Sequence, residues 1–299
     1  MGEGRPMGES QTPGMRLSVV IPCRNTADQL PRQLWALARE KWQGWWEVVI
    51  ADNGSTDGTR EVAEAFKDRL PRLLVVDASA RRGASYARNV GALSASGEAF
   101  LFLDADDEIV PGYLPAMADA LAHHDFVAAH RDSESLNTGW VRLSRRTHPY
   151  EGFRNFYGFL PHAGGTRIGV RRSIFESAGG FDENILGGED VDFCWRVQLA
   201  GIPLRLVPEA TVRVRFRQSL PRIYKQARLS GKGDALLYRR YRAAGMPGRS
   251  IGDGLRDWLR LIQRLPHIRG KSDWARWIRR LGQRVGRLEG SLRYRVIHL

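Results

Sequence analysis

The 299-residue sequence predicts an α/β fold: a mostly parallel sheet covered on both faces by helices, followed by a helical C-terminal extension. Three observations predict it. Short apolar runs rich in Val and Ile alternate with amphipathic segments of helical length over the first hundred residues, the pattern of repeated βαβ units. Carboxylates and turn residues gather at the carboxyl ends of those runs, the edge at which such sheets bind ligands. The formal net charge of +13 lies in the last third, where 24 basic side chains face 6 acidic ones, against 13 and 16 in residues 1–110 and 9 and 11 in residues 111–200.

The first strand is Leu17-Ser-Val-Val-Ile-Pro22, too short for a helix and rich in β-branched residues. Residues 28–39 place Leu30, Leu34 and Leu37 on one helical face, with Asp28 as the candidate cap. Residues 47–52 read as a second buried strand, and Asn53-Gly54-Ser55 as a turn into a helix over 56–66. Residues 73–77 form a third strand, 84–94 a helix and 99–103 a fourth strand. Beyond residue 218 the chain reads as helices over 224–242, 252–265 and 272–292, separated by Gly231-Lys-Gly233, by Gly245-Met-Pro247-Gly248 and by Pro266. The expected organisation is a leader over 1–14, a catalytic domain over 15–218 and a basic helical region over 219–299.

Composition excludes several classes. Two cysteines, Cys23 and Cys194, cannot build a disulfide scaffold and suggest a reducing compartment. No apolar run approaches the 18 or so residues of a membrane span, and residues 1–14, rich in Gly, Pro, Glu and Gln, read as a floppy leader rather than a signal peptide. A protein that coats nucleic acid is a poor fit, because the first two hundred residues are net acidic and would repel phosphate. The expected location is the cytoplasm, or peripherally the inner face of the plasma membrane.

The strand ends carry the chemistry. They are Pro22-Cys23-Arg24-Asn25, Asp52-Asn53-Gly54, Asp77 and Asp104-Ala105-Asp106-Asp107. Turn propensity explains any one of these acids. It does not explain three acids in four residues after a buried strand, where mutual repulsion is costly unless a cation is present, so a divalent metal is expected there.

In order along the chain, Val19-Val-Ile-Pro22-Cys-Arg-Asn25, Val48-Val-Ile-Ala-Asp52-Asn-Gly-Ser-Thr-Asp57-Gly-Thr59, Ala87-Arg88-Asn89-Val-Gly91, Gly97 and Phe102-Leu-Asp104-Ala-Asp106-Asp107 resemble the Rossmann-like, nucleotide-sugar-binding half of a family 2 glycosyltransferase with the GT-A fold. Gly179-Gly-Phe181-Asp182-Glu183 and Gly188-Glu189-Asp190-Val-Asp192-Phe-Cys-Trp195-Arg196 resemble that family's acceptor-side motif. The resemblance covers about residues 16–220 and implies roles for the matching positions. Pro22, Arg24, Asn25, Asp52, Arg88 and Asp104 would bind the nucleotide-sugar, Asp52 on the base; uracil offers the N3–H donor that a carboxylate accepts. Asp106 would ligate Mg²⁺ or Mn²⁺, with Asp104 on the ribose, the metal or its water, and Asp107 is a candidate cap for a following helix. Arg81 and Arg82 compete with Arg88 for the same contacts. Asp190 would be the general base, with Glu189 beside it, and Gly188 and Trp195 would lie on the acceptor side. Gly164-Gly165-Thr166-Arg167 is placed near the donor sugar or the acceptor mouth.

The sequence departs from the family in one respect. Where many GT-A enzymes carry a metal-ligating histidine, it has Thr211-Val-Arg213-Val-Arg215-Phe-Arg217. Arginine cannot ligate a metal, so Arg213 and Arg215 are either a diphosphate clamp or structural. The reading is an inverting, metal-dependent glycosyltransferase that moves a sugar, UDP-linked by expectation, to a hydroxyl of a cell-envelope or lipid-linked glycan. Its rival is a non-catalytic nucleotide-sugar or membrane-surface binding protein of the same fold. A sugar-phosphate nucleotidyltransferase would need a Gly-rich triphosphate loop after the first strand, and Pro22-Cys-Arg-Asn-Thr-Ala-Asp28 is not one. In the basic third, Leu255, Trp258, Leu259 and Ile262 share one face, as do Trp274, Trp277, Ile278 and Leu281, each opposite arginines. Such helices either rest on an anionic membrane or pack on the protein.

Overall fold

The computed structural model describes residues 15–145, 153 and 158–299; the expected leader lies outside the described residues. The elements are β1 (Leu17–Cys23), α1 (Leu30–Ala38), β2 (Trp46–Asp52), α2 (Thr59–Glu64), β3 (Leu73–Asp77), α3 (Ala84–Ser94), β4 (Ala99–Phe102), β5 (Glu108–Ile109), α4 (Tyr113–His123), β6 (Phe126–Asp132), α5 (Gly139–Ser144), β7 (Ile168–Arg171), α6 (Arg172–Ser177), α7 (Glu189–Leu199), β8 (Arg205–Arg213), α8 (Leu220–Tyr241), α9 (Ile251–Gln263) and α10 (Lys271–Tyr294). One sheet runs in the order β3-β2-β1-β4-β7-β6-β8-β5. Its first four strands are parallel, and β7 is antiparallel to both β4 and β6.

Strands β1, β2 and β4 are buried on both faces, which is why they read as unbroken apolar runs, whereas β3 at the sheet edge is half-buried to exposed. Leu17, Val19 and Ile21 of β1 enter one core with Leu30, Leu34 and Leu37 of α1 and Leu114, Met117 and Leu121 of α4, while Val20 enters the other. That second core holds Phe100, Phe102, Phe175, Phe181 and Phe193, and it also takes in Leu237 and Tyr241 of α8. The hydrophobic core therefore runs across the composition change near residue 218.

Two local expectations change. Helix α1 starts at Leu30 with Gln29 at its N-cap and no side-chain cap bond, so Asp28 is not the cap. Pro31 presets φ in the first turn and lacks the amide that a cap would have satisfied. Gly231 and Gly233 do not interrupt a helix; they lie inside the 22-residue α8. A Cβ on Gly231 would meet the Gln283 carbonyl oxygen, and one on Gly233 the Gly187 carbonyl oxygen, each closer than van der Waals contact allows. These glycines admit neighbouring backbone, and packing outweighs their low helix propensity.

Candidate active site

Two acidic groups meet under one arginine. The first is the β4 end, where carboxylate oxygens of Asp104, Asp106 and Asp107 all lie within 4.8 Å of one another. The second is Glu189 and Asp190, which open α7 behind Gly188, a residue held at φ 86°. Arg88 of α3 joins them, with Nη2 donating to Asp104 Oδ1 at 2.7 Å and Nη1 3.6 Å from Glu189 Oε1. Its guanidinium is only 4% exposed and lies 5.5 Å from the centroid of the Phe181 ring. A Cβ on Gly91 would come within 2.6 Å of Val20, so glycine lets α3 approach β1 closely enough to bring Arg88 to this point. Asn89 ties in the acceptor-side loop: its Nδ2 donates to the Phe181 carbonyl at 2.9 Å and its Oδ1 accepts from the Phe181 N–H at 2.9 Å.

Burial sets the proton affinities. It pushes Asp106 up to about 6, with Asp104 adding to the effect and Arg217 and Arg215 opposing it. Burial, then Asp104 and Asp106, raise Asp107 to about 8 against the bond from the Arg215 N–H. Glu189 is raised to about 7 by burial and Asp190, with Arg88 opposing. Burial also works against the charge on Arg88, but Asp104 and Glu189 outweigh it and hold the guanidinium above its ordinary range. A trio of hard oxygen donors crowded until two resist ionisation suits a divalent cation, whose charge would remove the repulsion.

Asp190 is fixed from two sides. Its Oδ2 accepts from Gly165 N–H at 3.2 Å and its Oδ1 from Val191 N–H at 2.9 Å. Gly188, Glu189 and Asp190 border a cleft of about 760 Å³ closed by His162, Gly164 and Arg167 on one side and by one face of α8 on the other. The Gly164–Gly165 turn thus meets Asp190 itself. On the donor side, Pro22 is half-buried, Arg24 is exposed, and Asp52 is buried with its Oδ1 accepting from Ser55 N–H at 3.0 Å. Asn25, at φ 51°, accepts from Thr56 N–H at 2.9 Å and braces that loop.

Several expected roles are corrected. Trp195 does not face an acceptor: it is fully buried, its Nε1 donates to Leu160 carbonyl at 2.9 Å, and Phe159 and Tyr241 pack edge-on against it. Arg213 is not a clamp for an anion, because Nη1 pairs with Glu108 at 3.0 Å and Nε lies 3.9 Å from Asp132. Arg215 serves the acidic trio through its backbone, donating N–H to Asp107 Oδ1 at 2.9 Å, while its Nε donates to Asp106 carbonyl at 3.3 Å. Asp107, 2% exposed, therefore caps no helix; α4 begins at Tyr113 behind Gly112. Arg88 is committed to two carboxylates rather than open to a ligand. Arg81 is likewise engaged, with Glu183 at 2.9 Å and Asn184 at 2.8 Å.

Sequence reasoning missed Arg217, Arg222 and Lys225, which line the cleft. It also missed Asp192, fully buried and held by Arg196, Arg240 and Tyr241 at 2.8, 2.6 and 2.7 Å, which fastens α7 to α8. The i,i+4 spacing of Asp192 and Arg196 was a legible signal; the partners on α8 were not.

Comparison with known proteins agrees with this geometry. Residues 18–179, more than half of the chain, match the sequence model of Glycosyl transferase family 2, and residues 99–279 match that of Glycosyl transferase family group 2. The chain belongs to glycosyl transferase family 2. Among similar family proteins, the succinoglycan biosynthesis protein ExoA of Rhizobium meliloti is 27% identical over 244 residues, covering 77% of this chain and 72% of that protein. Validoxylamine A glucosyltransferase of Streptomyces hygroscopicus subsp. jinggangensis is 30% identical over 237 residues, 65% of this chain and 54% of that protein. Glycosyltransferase YfnE of Bacillus subtilis is 34% identical over 122 residues, 41% of this chain and only 29% of that protein. The fold matches the mannosyltransferase PcManGT of Pyrobaculum calidifontis, in complex with GDP-Man and Mn²⁺, with a TM-score of 0.63 at 18% identity, covering 93% of this chain and 88% of that one. It also matches S. aureus TarS 1-349 in complex with UDP, with a TM-score of 0.54 at 22% identity, covering 93% and 91%.

Proposed function

We propose that this family 2 glycosyltransferase moves a sugar from a nucleotide-diphosphate donor, UDP-linked, to an acceptor hydroxyl of a cell-envelope or lipid-linked glycan, with inversion at the anomeric carbon. The observation that carries this is the junction at Arg88, which holds a cation-binding trio and a general-base candidate on either side of one guanidinium. Asp52 receives the base. Asp106 and Asp104 would hold a divalent cation, which would supply the positive charge that a departing diphosphate needs. Arg217, exposed and close enough to Asp106 to lower its proton affinity, takes the phosphate role first assigned to Arg213. Asp190, oriented by the Gly165 and Val191 amides, accepts the proton of the acceptor hydroxyl as that oxygen attacks. Glu189, protonated up to about neutral pH, and Arg88 keep the carboxylate in place. Residues 15–218 form the catalytic domain of this reading and 219–299 its basic helical region. UDP and GDP-Man in the two structural neighbours support a nucleotide donor, and Mn²⁺ in one supports the cation.

The test is nucleotide release from a UDP-sugar and GDP-mannose panel with Mn²⁺ or Mg²⁺. Release that depends on metal and on Asp106 is expected, and donor binding unchanged by Asp106→Ala and by chelation would overturn the metal assignment.

A second element of the reading is placement on an anionic membrane through α9. No helix among the described residues is long and apolar enough to cross a membrane. Helix α9 leaves Ile251, Leu255, Leu259 and Ile262 between 53% and 65% exposed, beside Arg256, Arg260 and Arg264. An apolar stripe flanked by arginines matches acyl chains beneath anionic headgroups. Flotation with phosphatidylglycerol vesicles is expected to fail for Leu255→Glu/Leu259→Glu, and equal flotation of the variant would remove α9 from that role.

A further inference from the structure

We infer that the acceptor carries a phosphate close to the reacting hydroxyl and that Arg222 and Lys225 hold it. This rests on Asp190 being the base that activates that hydroxyl. Residues 222, 225, 226, 229 and 230 of α8 line the cleft, and their spacing of i, i+3, i+4, i+7 and i+8 is one helical face. That face stands against the loop leading into Asp190. Gly187 and Gly188 lie on it with no room for a side chain between: a Cβ on Gly187 would come within 2.7 Å of Leu229 carbonyl oxygen, and one on Gly188 within 3.1 Å of Leu237. The catalytic loop is therefore fixed near residue 229. At a rise of about 1.5 Å per residue, Lys225 and Arg222 begin about 6 and about 10 Å further along the helix, a span of one to two sugar units.

Their charge has no internal explanation. Several arginines of the basic third are paired: Arg228 with Glu289, Arg240 with Asp182 and Asp192, Arg249 and Arg284 with Asp257, Arg287 with Asp234. Arg222 and Lys225 are exposed, and among the described residues no carboxylate lies within ion-pair distance of either. Two like charges at i,i+3 weaken a helix, and Arg217 adds a third cation to the same wall. Asp104, Asp106 and Asp107 are not part of the cleft lining, whereas Glu189 and Asp190 are. Arg222 and Lys225 thus face the acceptor side, where the carboxylates would repel an anion that had no such counterweight, while Arg217 stands between them and Asp106. A guanidinium fork with an ammonium point charge fits the geometry of a phosphate.

The experiment has two arms on the full chain. Inorganic pyrophosphate binding without divalent metal is followed by calorimetry for wild type, Arg222→Ala/Lys225→Ala and the surface control Arg205→Ala/Arg269→Ala, two exposed arginines outside the cleft. Binding at least tenfold weaker in the cleft variant alone is expected; absent binding, or equal loss in the control, overturns the inference. In the kinetic arm, a soluble glycosyl-1-phosphate, a polyprenyl diphosphate-linked sugar in vesicles and uncharged octyl glycoside compete as acceptors. Either phosphorylated acceptor, and thereby its source, is expected to be preferred, with KM raised at least tenfold and kcat little changed in Arg222→Ala/Lys225→Ala. Equal use of octyl glycoside, or a KM unmoved by the substitutions, sinks it. Failure of every donor to react would refute the transferase reading itself, and the pyrophosphate arm would still decide the phosphate site.

Discussion

Charge is used in opposite ways in the two halves of the molecule. At the carboxyl edge of the sheet, acids are buried together and held by few cations, so Asp106, Asp107 and Glu189 resist ionisation. In the C-terminal third, arginines lie mostly at the surface, some of them in local pairs such as Arg256–Asp253 and Arg260–Asp257, worth roughly 0.2–1 kcal/mol each. The contrast separates sites where one residue decides function from a surface that tolerates change. Within the third, α9 and α10 share an arginine-rich amphipathic pattern and differ in what covers them. Gly282, Gly286 and Gly290 of α10 face α8 so closely that a Cβ on Gly286 would run into Arg228 carbonyl oxygen, while α9 buries only Gly254 and Leu261.

The largest effect is expected at the acidic edge. Asp190→Asn keeps the side chain's size and one of its two accepted amide bonds but removes the base of the proposed mechanism, so transfer is expected to fall by about 10²–10⁴-fold while donor binding measured by calorimetry stays. Loss of donor binding in that variant would place Asp190 on the wrong substrate. Next comes the helix junction: Gly286→Leu forces α10 off α8 and costs about 3 kcal/mol or more, read as a lowered midpoint in urea. A midpoint within error of wild type would mean that the two halves are held together elsewhere.

A smaller effect concerns pH. The folded state keeps the Glu189 proton up to about 7, whereas an unfolded chain loses it near its ordinary value of about 4.3. Between those limits the folded form binds more protons, so stability falls as pH rises. Glu189→Gln is expected to flatten that decline between pH 5 and 8, and an unchanged slope in thermal melts would assign the decline to other groups. The smallest change is expected for Arg256→Ala, within about 0.5 kcal/mol of wild type; a loss several times larger in chemical denaturation would show that the α9 surface is structurally engaged.

Much of this was legible without coordinates. Strands β1, β2 and β4 declare themselves because burial on both faces demands continuous apolar residues, and the half-exposed β3 and the helix α3 match their expected bounds to the residue. The acidic trio was readable because repulsion makes three adjacent acids improbable by turn propensity alone. The α8–α10 junction left a signal, glycine at every fourth position of 282, 286 and 290, that amphipathicity arguments passed over. Arg213 and Arg215 could not be told apart from Arg217 by sequence. The three lie two residues apart and alternation treats them alike; contacts made on folding put Arg213 on Glu108, Arg215 on the Asp106 carbonyl and Arg217 in the cleft lining.

The sequence by itself determined the four parallel strands, their carboxylate-bearing ends and the family motifs, since each depends on local spacing and on burial that short segments encode, while β5 to β8 joined the sheet only in the fold. Tertiary structure alone decided which charges meet. Arg88 reaches Glu189, 101 positions away in the chain, while holding Asp104, Trp195 turns inward, and one face of α8 closes the cleft. Those outcomes follow from how helices dock on the second core, and docking is set by contacts between segments that are remote in sequence.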